Sequence, residues 1–326
     1  MKNCLLVIIF TLFGCSGITG DKSEHSIPIQ ELANRGNADA QFLLGKMYLS
    51  GLNVPKDNSQ EKLWLHKAAN QGNADAQFLL GLLLSTKDSN FKDYSQALFW
   101  HRKAANQGNA QAQFLVGQMY FEGKGVSKDY VQARLWLRKA ADQGLAQAQF
   151  NLGLIYEDGM GIPQDSVEAI SWYRKAANQE LAQAQYNLGL IYANGIGVPQ
   201  NSFEAISWYR KAADQGFTLA QTNLGVMHYN GNGVPKDYTQ AVFWHRKAAE
   251  QGEAMSQYYL GAMYFLGKGI PQDYKLAYFW MLLSSAKGHD NAIKYRDIIE
   301  EQLTQQQRAE AQSDATNWKP TTTPIP

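Results

Sequence analysis

Cysteine is nearly absent from the sequence, which contains only Cys4 and Cys15, both within the first fifteen residues. The body of the chain therefore has neither a disulfide framework nor a cysteine-based metal site, and packing must stabilise its fold. An excess of charge of one sign is also missing, because 30 basic residues nearly balance 29 acidic residues. This balance creates no global field that would attract nucleic acid or an anionic membrane surface, so we expect no nucleic-acid partner.

The apolar run at the N-terminus, from Leu5 to Phe13, is too short to span a bilayer and is typical of a signal-peptide core. The Leu-Phe-Gly-Cys sequence that ends at Cys15 resembles a bacterial lipobox. This resemblance implies a signal peptide over residues 1–14, lipidation of Cys15 and a linker over 15–26. Because Ser16 follows the cysteine, we expect an anchor in the outer membrane that faces the periplasm. An ordinary cleaved signal, with a soluble periplasmic or secreted product, is the alternative.

A strict 36-residue period runs through the body of the chain. When the sequence is written in rows of 36 residues, equivalent positions of the repeats form columns. One column holds glycine in every row except that of Glu180: Gly36, Gly72, Gly108, Gly144, Gly216, Gly252 and Gly288. A tryptophan column keeps the same register: Trp64, Trp100, Trp136, Trp172, Trp208, Trp244 and Trp280. Seven copies of one supersecondary unit predict a solenoid with the tryptophans in its core.

Each unit has the pattern of two amphipathic helices. Apolar and small residues recur three and four apart in the first half, helix A, and again in the second half, helix B. The column of Gly117 would let the two helices approach closely, and the column of Gly144 supplies a left-handed residue after helix B. An Asp or Asn stands at the expected N-cap of every helix B: Asp57, Asp93, Asp129, Asp165, Asn201, Asp237 and Asp273.

The combined pattern, AxAQFxLGxMYxxGxGVPxDYxxAxxWxRKAAxQG, resembles the Sel1-like repeat family, relatives of the tetratricopeptide repeat. The resemblance covers residues 37–288. It implies an all-α fold, an α-solenoid with a right-handed superhelix of seven 36-residue helix-turn-helix repeats. Residues 85–91 lack the Gly-x-Gly and Pro of the other turns, so we expect a less regular turn there.

The two ends have sequences suited to closing a solenoid. Residues 27–36 resemble half of a helix B and would form an N-terminal cap. Residues 289–312 predict one C-terminal capping helix with an apolar stripe of Ile293, Ile298 and Leu303. The Pro- and Thr-rich residues 313–326 are predicted to be a flexible tail.

Signatures of catalysis or metal binding are weak. Ser284 and Lys287 match a Ser-x-x-Lys pattern, but Ser284 falls in a column of small packing residues, and no Ser-Asp-Asn or Lys-Thr-Gly element completes a site. The histidines, including His101, His228 and His245, lack metal-ligand spacing, and we interpret them as helix-surface residues. The sequence therefore predicts no enzyme, no metal site and no cofactor.

One column of helix A varies in a way that suggests recognition. It holds leucine in three units, then Asn151, Asn187 and Asn223, and then Tyr259. Helix A lines the concave face of tetratricopeptide-like solenoids, and asparagine amides can pair with the backbone of an extended peptide. Alternatively, these asparagines are solvated or brace the adjoining unit. The predicted peptide- or protein-binding residues are Asn151, Asn187, Asn223, Phe150, Tyr186, Asp158, Asn194 and Asn230.

We therefore expect a monomeric protein- or peptide-binding scaffold of the bacterial cell envelope, attached to the membrane through Cys15. Labels carried by Sel1-like relatives imply two alternatives. One is an envelope hydrolase that acts on β-lactams or peptidoglycan, and the other is a secreted or surface-displayed factor that contacts a host cell.

Overall fold

The computed structural model describes residues 28–85 and 93–321, and all regular secondary structure within these ranges is helical. The predicted signal peptide over 1–14, the linker over 15–26 with Cys15, and most of the irregular turn over 85–91 lie outside the described residues. The last residues of the predicted tail, from 322 onward, also lie outside them.

The chain divides into two compact units, residues 1–80 and 81–326. The first contains α1 (Ile29–Asn34), α2 (Ala38–Ser50), α3 (Asn58–Asn70) and the start of α4 (Ala74–Ser85). The second continues with α5 (Tyr94–Asn106), α6 (Ala110–Glu122), α7 (Tyr130–Asp142), α8 (Ala146–Asp158), α9 (Ser166–Asn178), α10 (Ala182–Asn194), α11 (Ser202–Asp214), α12 (Thr218–Asn230), α13 (Tyr238–Glu250), α14 (Ala254–Leu266), α15 (Tyr274–Ser285), α16 (Asp290–Glu300) and α17 (Gln305–Asn317).

Each repeat pairs one helix A with one helix B. Repeats 1 to 7 are α2 with α3, α4 with α5, α6 with α7, α8 with α9, α10 with α11, α12 with α13, and α14 with α15. Within the second unit, consecutive helices from α5 to α16 pack on one another in chain order, as expected for a solenoid of helical hairpins, and α17 packs on α15. The predicted all-α class and sevenfold hairpin repeat are confirmed.

The close packing of helices A and B depends on the glycine column of helix A, as predicted. A Cβ atom on Gly117 would lie 2.7 Å from Leu137 Cγ, and one on Gly153 would lie 2.4 Å from the Tyr173 ring. Six of the seven column tryptophans are buried, and Trp208 is partly buried. Any larger residue at these glycines would therefore push the two helices of a repeat apart.

The helix ends also follow the predicted residues. Every predicted N-cap of helix B accepts a backbone hydrogen bond, and the Asp129 carboxylate, for example, accepts from the Gln132 amide at 2.9 Å. Gly144 adopts a φ of 92° after helix B, and Glu180, the exception in that column, adopts a φ of 64°. The column therefore imposes its left-handed backbone even where the residue is not glycine.

A ladder of buried glutamines, overlooked in the sequence analysis, joins consecutive repeats. Gln185 donates its side-chain N–H to the Ala177 carbonyl at the end of the preceding helix B, at 3.2 Å. Its side-chain oxygen accepts a hydrogen bond from Gln215 of its own repeat at 2.8 Å. Gln149 bonds in the same way to Ala141 and Gln179. Each ladder glutamine thus adds a second hydrogen bond to a helix-end carbonyl that already accepts one from a turn amide, Glu180 N–H for Ala177 and Gly144 N–H for Ala141.

The interpretation of the histidines as surface residues is wrong for His101, His228 and His245, which are all buried. His101 and His245 occupy the position of Leu137 and pack against the helix A glycines Gly81 and Gly225. The position that they share in the repeat faces these glycines and belongs to the core. Helical periodicity alone did not show that this position is buried. Burial lowers the pKa of His245 to about 3, so the ring stays neutral there.

The C-terminal cap also differs from the prediction. Two helices, α16 and α17, replace the single helix expected over 289–312, because Thr304 starts a new helix with a reciprocal capping box to Gln307. Helix α17 continues to Asn317, into the segment predicted to be a flexible tail. Ile299 and Leu303 are buried, whereas Ile293 and Ile298 are exposed. The buried side of this segment is therefore not the stripe of Ile293, Ile298 and Leu303 that was predicted for a single helix.

We predict that Gln185→Leu lowers the free energy of unfolding by about 1–3 kcal/mol, because the two hydrogen bonds of the buried Gln185 side chain, to the Ala177 carbonyl and from Gln215, are lost. Urea unfolding monitored by tryptophan fluorescence would measure this change. The matched control is Gln183→Leu, a partly exposed glutamine of the same helix, which should change stability by less than about 0.5 kcal/mol. Equal effects of the two substitutions would contradict a stabilising role for the ladder.

Candidate binding groove

A groove of about 600 Å³ lies between repeats 5 and 6, within the second unit. Its volume falls in the range of roughly 300–1,000 Å³ found for ligand sites in proteins. The residues that line it come from α10, α11, α12 and the turns inside the two repeats: Leu190, Ala193, Asn194, Gln200, Ser202, Tyr209, Asn223, Val226, Met227, Gly231, Asn232 and Gly233.

The local sequence explains how the walls of the groove are placed. Helix α10 ends at Asn194 because Gly195 adopts a left-handed φ of 70°, which leaves the exposed Asn194 side chain at the groove. In the turn of repeat 6, Gly233 has a φ of 73°, and a Cβ atom there would lie 2.4 Å from Ser202 Cβ. Gly233 therefore lets this turn pack on the first residue of α11, and the turn places Asn232 at the groove.

The groove is uncharged. Tyr209 is the one titratable residue among those that line it. Burial raises the pKa of Tyr209, although a hydrogen bond from Asn223 acts in the opposite direction, so the phenol stays protonated at neutral pH. Leu190, Val226 and Met227 supply apolar surface beside these polar groups. The groove thus combines amide and hydroxyl groups with apolar walls, which suits an uncharged ligand.

Of the eight predicted binding residues, Asn194 and Asn223 line this groove. Asn223 also lies close to the hydroxyls of Tyr186 and Tyr209, and Asn187 lies close to the hydroxyl of Tyr173, and each asparagine acts to lower the pKa of these phenols. Both asparagines therefore contact the preceding repeat, which is the bracing arrangement kept as an alternative. Asn223 both contacts the preceding repeat and lines the groove.

The other predicted residues lie elsewhere on helix A. Phe150 packs against Tyr173 with ring centroids 5.7 Å apart, and Tyr186 packs against Phe217 at 5.1 Å. Asn151 is half-buried on α8, whereas Asp158 and Asn230 are exposed at the last positions of α8 and α12. The structure therefore does not gather all eight residues into one site, and their binding role stays a prediction.

Sequence reasoning missed several groove residues, notably Ala193, Ser202 and Asn232. A signal was present in the repeat columns, because Ala193 and Ser202 are small where repeats 3, 6 and 7 have aromatic residues in both columns. A search of the columns for small residues in place of aromatic ones, rather than for polar residues in place of apolar ones, would have drawn attention to Ala193 and Ser202.

The Ser-x-x-Lys residues do not form an accessible nucleophile. Ser284 is fully buried, and its hydroxyl donates to the Ala254 carbonyl oxygen at 2.7 Å. Lys287 donates instead to the Gly252 carbonyl oxygen. Each side chain thus has a packing role in repeat 7.

Within residues 28–85 and 93–321, no group of three or more His, Cys, Asp or Glu side chains is arranged to hold a metal ion. No helix of that part of the chain has the length and apolar character needed to cross a membrane.

Glu61, in the first unit, is a buried carboxyl in a column where the other six repeats have alanine. Its Oε1 atom has no hydrogen-bond partner among the described residues. Burial raises the pKa of Glu61 to about 7, although Lys56 and Lys62 act in the opposite direction. A shifted pKa can mark a functional site, and here burial is the largest cause of the shift.

The family model for the Sel1 repeat matches the sequence seven times in succession, over residues 38–73, 74–109, 110–145, 146–181, 182–217, 218–253 and 254–289. These matches coincide with the seven helical hairpins. A comparison with curated proteins gave no match.

Two solved structures are similar over most of the chain. A Sel1 repeat protein from Oxalobacter formigenes is 34% identical, with a TM-score of 0.71, and the match covers 83% of this chain and 78% of that one. The protein c5321, a protective antigen of uropathogenic Escherichia coli with the SLR fold, is 32% identical, with a TM-score of 0.58 and coverage of 89% and 70%.

We predict that Glu61→Ala removes a pH dependence of stability. With its folded pKa raised from 4.5 to about 7, Glu61 binds more protons in the folded state, so its contribution to stability declines as pH rises through this interval. Relative to the alanine variant, the wild type should lose on the order of 2 kcal/mol between pH 4.5 and 7.5.

Urea unfolding of both proteins across this pH range measures the difference. Glu301→Ala, at an exposed position, serves as the control for a lost carboxylate. A difference between wild type and Glu61→Ala that does not change with pH would refute the prediction.

Proposed function

The chain belongs to the Sel1 repeat family, whose fold generally serves as a scaffold for protein interactions, and we propose that it holds an extended segment of a partner protein in the groove between repeats 5 and 6. The observation that carries this proposal is the uncharged groove of about 600 Å³ with Asn194 and Asn223 among its lining residues. Helix A supplies both residues, which agrees with ligand binding on the concave face of related solenoids.

The groove chemistry suits a polypeptide main chain. Asparagine side chains provide both N–H donors and a carbonyl acceptor, which match the acceptor and donor of a peptide group. Asn194, Asn223 and Asn232 offer such amides at the groove. The apolar side chains of Val226 and Met227 supply the remaining contact area. An extended segment is favoured because its main-chain groups are not already paired with each other.

The N-terminal sequence supports a location in the cell envelope. The apolar run that ends before Cys15, and the lipobox pattern at that cysteine, favour export and lipid anchoring. We propose that the repeats then face the periplasm from the outer membrane. The similar E. coli structure is that of a protective antigen, and this favours display at the cell surface as a second candidate.

Site-specific photo-crosslinking in intact cells tests the binding function. A photoreactive residue at Asn194, beside the groove, should crosslink one discrete partner protein, which mass spectrometry would identify. The matched control is Asn178, also an exposed asparagine at the last position of a helix but outside the groove. The same products from both positions, or none from Asn194, would refute the proposed site.

Two asparagine variants separate binding from packing. Asn223→Ala and Asn187→Ala each remove an amide close to a tyrosine hydroxyl of the preceding repeat, but only Asn223 lines the groove. We expect Asn223→Ala to reduce the crosslink from position 194 by about tenfold and Asn187→Ala to leave it nearly unchanged. Equal losses would indicate a packing effect.

Metabolic labelling tests the location. An alkyne-bearing fatty acid should label the wild-type protein and not Cys15→Ser, because the cysteine is the acceptor in the lipobox pattern. Protease added to intact cells should leave the repeats uncut if they face the periplasm. Absence of label would refute the anchor, and digestion in intact cells would favour surface display.

A further inference from the structure

Three repeats of the second unit place an aromatic pair where helix A ends and helix B begins. The pairs are Phe121 with Tyr130, Tyr229 with Tyr238, and Phe265 with Tyr274. Their ring centroids are 5.3, 5.2 and 5.8 Å apart, in tilted or edge-to-face contact. Such pairs stabilise packing beyond the apolar area they bury. These two positions hold aromatic rings in repeats 3, 6 and 7 but Glu157 and Ser166 in repeat 4, so the side chains between the helix ends differ from one repeat to the next.

Repeat 5 lacks both rings. Ala193 stands in the column of Phe121, Tyr229 and Phe265, and Ser202 stands in the column of the three paired tyrosines. Both residues line the groove between repeats 5 and 6. The groove therefore occupies the place that an aromatic pair fills in repeats 3, 6 and 7.

The frame around the missing pair is retained. In repeat 7, Gly269 packs on Tyr238 and Lys268 lies over the Tyr229 and Tyr238 rings, at 5.5 and 5.3 Å. The corresponding turn of repeat 6 has Gly233 packed on Ser202, and Asn232 in the position of Lys268. The turn that covers an aromatic pair in one repeat thus covers an empty place in the other.

The turn that covers the groove brings no cation to it. Lys268 brings a cation to the tyrosine rings, whereas the equivalent Asn232 is neutral. Leu190, Val226 and Met227 add apolar surface, and no ionised side chain lines the groove. A charged side chain would lose its hydration there without gaining a partner, which is costly. An uncharged aromatic ring would restore the contacts made elsewhere by the chain's own aromatic residues.

We propose that the groove is a socket for an aromatic side chain, tyrosine or phenylalanine, on the extended partner segment. This inference rests on the proposed binding function and names the residue that the groove selects. The ring enters the space left by Ala193 and Ser202, while Asn194 and Asn232 contact the neighbouring peptide groups. An aromatic anchor in a preformed pocket is the usual source of affinity at such interfaces.

The test uses the full chain and three tripeptides, acetyl-Gly-Tyr-Gly-amide, acetyl-Gly-Ala-Gly-amide and acetyl-Gly-Glu-Gly-amide. Binding is followed by NMR shifts of the Asn232 side-chain amide and the Gly231 and Gly233 backbone amides. The tyrosyl peptide should bind at least about tenfold more tightly than the other two. Equal binding of all three, or shifts with N-acetylglucosamine and none with the tyrosyl peptide, would overturn the proposal.

Two double variants localise the binding. Ala193→Phe with Ser202→Tyr rebuilds the pair of repeat 3, so the protein should fold as before and lose tyrosyl-peptide binding by at least about tenfold. Phe121→Ala with Tyr130→Ser removes that pair and should create a second tyrosyl-peptide site in repeat 3. Unchanged binding by the filled variant overturns the proposal even if the opened variant is unstable.

The crosslink from Asn194 separates this inference from the proposed function. If that crosslink persists while the tripeptides bind equally, the aromatic assignment fails and the scaffold function stands. If the crosslink is absent and the tyrosyl peptide binds no better than the other two, the scaffold function and the aromatic assignment are both refuted.

Discussion

The structure depends on one recurring interaction, the hydrogen bond from a buried glutamine of helix A to a carbonyl at the end of the preceding helix B. Gln149 and Gln185 show its full form, in which a second glutamine of the same repeat donates to the first. The last carbonyls of an α-helix have no partner within it, and here each accepts both a turn amide, such as Glu180 N–H on the Ala177 carbonyl, and the glutamine of the next repeat. The same amide thus fixes the contact between one hairpin and the next.

That fixed frame explains why single columns can change without loss of the fold. The core position that faces the helix A glycine holds Leu137 in one repeat, Tyr173 in another and His245 in a third. Each fits because the glycine leaves room for it, and some of the polar atoms have local partners, although His245 Nε2 has none among the described residues. The Tyr173 hydroxyl donates to Glu157, and His245 lies 3.2 Å from the Ser256 hydroxyl. Substitution at this position alters the local hydrogen bonds and leaves the hairpin intact.

The groove results from the same tolerance. In repeats 3, 6 and 7 an aromatic pair fills the space between helix ends, and in repeat 5 Ala193 and Ser202 leave it open, while the glycine turn of the next repeat keeps its place. A closed and an open version of one structural element therefore occur within a single chain. Binding on a repeat protein can arise in this way, by removal of side chains from a scaffold that neighbouring repeats hold rigid.

The sequence by itself determined the period, the hairpin, the glycines of close approach and the N-caps of helix B, because each depends on residues near one another in the chain. It placed Asn194 and Asn223 among the binding candidates but did not separate them from Asn151 or Asp158. Only the tertiary structure decided that His245 is buried, that Thr304 starts a separate final helix and that Ala193 and Ser202 border a groove. Burial and empty volume depend on which side chains from different repeats meet, and a pattern read along one helix does not contain that information.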